Sequence, residues 1–199
     1  MKETPRLWQY CCAHSEMEEP TSLILWTTWE MSLLLLDVGE EHKQELQDVL
    51  MLFAFFHPVG ISKTLFSGAD VATSLMTICW DNGHWNHMKF ECVVVQMQKQ
   101  SLIQFSCRNA NEIVVSLHPM MAEWLCMQCE KDLLWTFLKT ATSHLENYLN
   151  STARNDHLIA KEALSHINSI CQMEEFCIVN KGFSGHVLCL VWSTQSKPS

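Results

Sequence analysis

No glycine in this chain precedes a lysine, and that absence excludes the phosphate-cradling loop of P-loop nucleotidases. Glycine and proline are scarce, 6 and 5 in 199 residues. So few breakers imply helices joined by short connections. Bases are scarce too: 13 Lys and Arg stand against 22 Asp and Glu, a net charge of −9, and no stretch holds three bases together. Phosphate backbones are held by clustered cations, so a nucleic-acid partner is not expected. The longest uncharged apolar stretch, Val49 to Ser62, is too short to span a membrane and contains Pro58. The first twenty residues lack the apolar core of an export signal. The ten cysteines therefore read as reduced thiols of a cytoplasmic protein with no membrane partner, packing as small apolar side chains.

What is present is apolar periodicity. Hydrophobic residues make up 48% of the chain, enough for a packed core. Residues 1–20 read as a tail or truncated end. From Leu23 onward, Trp26, Trp29, Leu33 and Leu36 recur at helical spacing, and Gly39 closes the run. A second helix is expected from His42 to His57, with Leu46, Val49, Leu50, Phe53 and Phe56 as its inner stripe. Pro58-Val59-Gly60 stops it, and Ser62 caps a short third helix carrying Leu65 and Phe66.

Trp80 to His84 is turn-rich, and Phe90, Val93, Val94 and Met97 space another helix. Ser101 to Phe105 reads as a strand, Arg108 to Asn111 as a turn, and Ile113 to Leu117 as a second strand. That strand stops at His118-Pro119. Pro119 fits the first turn of a helix, and Met121, Trp124, Leu125 and Gln128 follow at helical spacing. One imidazole is thus held at a strand-to-helix junction.

Two more helices follow, one spaced by Trp135, Leu138, Leu145 and Tyr148, the next by Ala160, Ala163, Leu164, Ile167 and Cys171. The expected fold is mainly α. A winged-helix module, helices plus a small β-hairpin, spans 21–130, and antiparallel helices over 131–175 lead toward a tetratricopeptide-type array. Residues 176–199 have no assignment.

Marked chemistry is thin. Leu33 to Asp37 has the apolar-run-plus-acid look of a magnesium site, but it lies within a helical pattern and lacks a P-loop. Cys126 and Cys129 form a lone C-x-x-C, expected to place one thiol inside a helix and one outside. Zinc needs four ligands, and His84 and His87 are the candidate second pair. Gly182-Phe183-Ser184-Gly185 misses the nucleophile elbow, because His186 stands where its last glycine belongs. A winged helix that binds DNA through Phe90 to Gln100 is the other alternative, although that stretch carries only Lys89 and Lys99 beside Glu91. No catalytic residue is marked, and a non-enzymatic chain is expected.

Several segments in order resemble one family. They are Thr27-Thr28-Trp29-Glu30-Met31-Ser32, LQDVLMLFAFFHPVGISKTLF at 46–66, SLIQF at 101–105 and SLHPMMAEWL at 116–125. Together they are similar to the region just after the nucleotide-binding core of fungal NB-ARC proteins. These are STAND-type signalling ATPases akin to NOD-like receptors. Lys161 to Ile167 is similar to the helix that introduces tetratricopeptide repeats in such proteins. The resemblance implies a regulatory arm that packs against a nucleotide-binding core in cis or trans and reaches protein partners through repeats. It implies that His118 resembles the sensor histidine of the family's Met-His-Asp motif, which faces bound ADP, although Leu117 and Pro119 replace its neighbours. No cofactor is implied for the chain by itself. ADP or ATP belongs to the complete family member, whose P-loop, magnesium-binding acid and sensor arginine have no counterpart here. The chain looks like a C-terminal fragment or a degenerate paralogue.

Overall fold

The structure, a computed structural model, describes residues 20–36, 40–67, 75–109, 112–151 and 157–181. Over these residues the protein is mostly helical with a small antiparallel sheet. The first helix, α1 (Pro20–Leu34), buries Trp26, Trp29 and Leu33. The second, α2 (Glu40–Phe53), turns Leu46, Val49, Leu50 and Phe53 fully inward. It ends earlier than its apolar stripe. Ala54, Phe55 and Phe56 continue as tight turns in which each N–H reaches back three residues. His57 precedes Pro58, and a residue before proline is pushed toward extended backbone, so the helix cannot run on to His57.

A short strand, β1 (Val59–Ser62), follows where the sequence suggested only a stop signal. Gly60 sits there at φ +93° beside a register shift, a conformation that glycine supplies at least cost. Ser62 stands two residues before the short helix α3 (Thr64–Ser67), its Oγ accepting from the Thr64 N–H at 3.3 Å. A 3-10 turn (Thr77–Cys79) leads into a two-residue hairpin, β2 (Trp80–Asp81) and β3 (His84–Trp85). Asn82 and Gly83 both have positive φ, 49° and 80°, as a tight turn matching strand twist requires.

Helix α4 (His87–Lys99) starts at Asn86, whose side chain accepts from the N–H groups of Met88 and Lys89. Its other end corrects the sequence reading. Ser101 adopts φ +57°, its N–H bonds to Gln98, and the Leu102 N–H reaches Met97. This is the left-handed helix stop usually made by glycine. Leu102 and Ile103 are therefore buried in the connection, and the strand β4 begins only at Gln104 and runs to Asn109.

Strand β5 (Glu112–Ser116) lies between β1 and β4, antiparallel to both. Val115 faces Ile61 on one side and Phe105 on the other. Helix α5 (Pro119–Gln128) follows at once, then α6 (Lys131–Ser151) and α7 (His157–Lys181). Arg108 of β4 pairs with Glu162 of α7, and α6 packs along α7 and against α2 and α3. The core is one continuous apolar cluster that runs from Trp26 to Ile170. At its centre Phe53, Phe56, Phe66 and Phe90 meet in tilted and edge-on pairs at ring separations of 5.6 to 6.3 Å. No described helix is long and apolar enough to cross a membrane.

Candidate functional site around His118

The strand-to-helix junction is built from both sides. Val114 and Val115 anchor β5 in the core, and the Leu117 N–H donates to the Pro58 carbonyl at 2.8 Å. That bond holds the exit of β5 to the entry of β1. His118 then turns the chain. Its backbone is extended (φ −67°, ψ 131°), and its carbonyl accepts from the Met121 and Ala122 N–H groups. Pro119 occupies the first helical turn, where a missing N–H costs nothing.

The imidazole is the N-cap of α5. Nδ1 accepts from the Met120 N–H at 3.3 Å. An accepting Nδ1 carries no proton, so the neutral ring keeps its proton on Nε2. The side chain is exposed, and Nε2 makes no hydrogen bond among the described residues. Beside it lies Trp29 of α1, ring to ring at 5.9 Å, and Trp29 in turn meets Trp124 of α5 at 6.1 Å. His118 is therefore a capped, packed imidazole with one donor pointing outward.

On the face away from His118, α1 and the turn after it leave apolar surface uncovered. Ile24, Met31, Leu34 and Leu35 are each more than half exposed. The described tryptophans are not. Trp26, Trp29 and Trp124 are buried and Trp80, Trp85 and Trp135 are half-buried, so exposed apolar surface comes from aliphatic side chains. Between α1, α2, α5 and α6 runs a groove of about 570 Å³, floored by Leu50, Trp124 and Phe137. Glu30 and Asp48 line it, and burial raises the pKa of both carboxyls above the usual range. The Asp48 carboxylate accepts from Gln44 at 2.9 Å.

The other candidates separate. Cys126 and Cys129 are both buried, not one inside and one outside, because Cys129 is the C-cap of α5, where the chain turns under α6. His84 and His87 are exposed around the small hairpin, and His87 Nδ1 accepts from the Trp85 indole N–H at 3.1 Å. No group of three or more metal-ligating side chains gathers among the described residues. Of the other described thiols, Cys79 is buried, its pKa pushed up to about 12 by desolvation, and Cys92, Cys107 and Cys171 are exposed. Leu33 and Leu36 face the core, and Asp37 lies outside the described residues, as do Gly182 to His186 and the rest of the tail. On α4, Lys89 donates to the Trp80 carbonyl and lies 3.6 Å from Asp81, so one of its two lysines is already occupied.

Two histidines that the sequence reading did not single out are buried instead. His144 on α6 and His166 on α7 lie against the phenylalanine cluster. The signal was available in their spacing. His144 falls three residues after Ala141 and four before Tyr148, on the same apolar stripe. Comparison of the chain with protein-family models, with curated proteins and with solved structures found no match.

Proposed function

We propose that this chain is a non-catalytic regulatory module of an NB-ARC/STAND-type signalling ATPase. In this reading it holds a winged-helix unit followed by helices that lead toward a repeat array, and it packs against a nucleotide-binding core. One observation carries the reading: the order and pairing of elements around His118. Helix, strand and helix are followed, after the 3-10 turn and the small β2–β3 hairpin, by helix and hairpin, and the first strand lies on the second strand of that last hairpin. That is the order a winged helix uses, and His118 stands at the exit of its last strand, where the family places its sensor histidine. The opposite, uncovered aliphatic face of α1 suits a helix that meets a further domain.

In mechanism, His118 presents its Nε2–H to a diphosphate held by that core. A hydrogen bond to a charged group is worth roughly 1.5–3 kcal/mol, enough to shift a closed-to-open equilibrium about tenfold or more. The cap on Met120 and the packing on Trp29 hold the ring so that the bond needs little reordering. The test is a fusion of the full chain to an NB-ARC nucleotide-binding core. His118→Ala is expected to leave the melting temperature within a few degrees and to speed ADP release about tenfold. Unchanged ADP release, with loss of folding, would make His118 a structural cap only.

A further inference from the structure

The two C-terminal helices bury imidazoles against the aromatic centre of the molecule. His144 and His166 are 1% and 3% exposed. His144 stands T-shaped on Phe66 at 5.3 Å, and His166 on Phe56 at 5.5 Å. Neither ring nitrogen of His144 has a hydrogen-bond partner among the described residues. His166 Nδ1 accepts from the His57 backbone N–H at 3.1 Å, a bond that needs Nδ1 unprotonated. Both rings sit on the α6–α7 pair, and both aromatic partners belong to α3 or the turn after α2.

The charges around them offer little to a second proton. Burial alone acts on His144. At the start of α3, Lys63 is buried with its Nζ on Glu91 of α4 at 3.1 Å. On α2, Glu45 accepts from Thr77 and Asp48 lines the groove toward α1. His166 faces His57, which opposes its protonation, while Glu162 and a backbone hydrogen bond with Gly60 favour it. Glu162 is already paired with Arg108, and Glu174 is buried further along α7.

We propose that the α6–α7 pair is an acid-releasable cover, lifted from the phenylalanine face of α2 and α3 when His144 and His166 take up protons. A protonated His144 would hold a buried cation with two donors and no acceptor. A protonated His166 would set a donor against the His57 N–H. Both costs vanish when the pair lifts, because water then solvates the rings. Burial holds both groups down at about 4 from an ordinary 6.5. The covered state binds fewer protons than the released one. Its advantage is therefore complete above the ordinary value and is lost as pH falls toward the depressed one. The limit is about 300-fold per histidine in the covered-to-released ratio, and about tenfold each near pH 5.5. The device is independent of His118 and of any nucleotide-binding partner.

Hydrogen exchange by mass spectrometry on the full chain, with rates corrected for intrinsic pH dependence, tests it. Between about pH 7.5 and 5.5, opening of α6 and α7 is expected to rise at least tenfold while α4 and the sheet change less than about threefold. In the His144→Leu, His166→Leu variant the pH dependence of α6 and α7 should flatten. An equal rise in every element would be ordinary acid unfolding and would overturn the proposal. If the double variant does not fold, imidazole titration by nuclear magnetic resonance in the unmodified chain decides. Rings that protonate near 6.5 while both helices stay protected would refute the cover.

Discussion

Helices α1 and α2 use their apolar residues in opposite ways. On α2 the apolar residues fall on one stripe, and Leu46, Val49, Leu50 and Phe53 are wholly buried. On α1 they surround the helix. Trp26, Trp29 and Leu33 face inward at 7–9% exposure, whereas Ile24, Met31 and Leu34 stand out at 51–66%. The inner face of α1 meets the molecule mainly at α5, and α2 is enclosed by α5, α6 and the 3-10 turn. The difference teaches where the fold is complete. A helix with one apolar stripe needs only its own domain, while a helix that is apolar all round has a second face still to bury.

The sharpest way to test that contrast is to cut into α2. Phe53 has no exposed surface and lies against Phe66 and Phe90. Phe53→Ala should cost about 3–5 kcal/mol in a urea titration, because the surrounding rings cannot close the cavity. A loss below about 1 kcal/mol would mean that the centre of the core is elsewhere. Trp29→Ala on α1 should cost less, about 1–3 kcal/mol, since its helix is held on one side only and its neighbours can relax into the gap. Equal losses at Phe53 and Trp29 would erase the contrast and make α1 an integral core helix.

The smallest effect on stability is expected on the outer face of α1. Leu35, in the turn that ends the helix, is 61% exposed, and Leu35→Glu should move the unfolding free energy by less than about 0.5 kcal/mol. The same change in the fusion with a nucleotide-binding core should raise spontaneous opening. A variant that melts early by itself, yet leaves the fusion closed, would show that this face is already used within the chain.

The helix stripes were legible because they repeat locally. Phe90, Val93, Val94 and Met97 all point inward, as their spacing requires. The start of α5 was legible for the same reason: His118 and Pro119 are a cap and a first-turn residue within one dipeptide. Strand β1 was not. Four residues carry no periodicity of their own, and Val59 to Ser62 becomes a strand only by pairing with β5, some fifty residues later. The early start given to β4 has the same origin in reverse. Leu102 and Ile103 look like strand residues, but a left-handed Ser101 turns them into the core first.

For the candidate site the division is similar. From its sequence alone the chain determined that an imidazole would stand between a strand and a helix, that no P-loop would cradle a phosphate, and where most helices would run. These follow from interactions within a turn or two of backbone. Only tertiary structure decided that Trp29 lies beside His118, that Cys129 is buried with Cys126, and that His144 and His166 face a phenylalanine cluster. Burial depends on which distant elements cover a side chain, and no local pattern encodes which neighbour arrives.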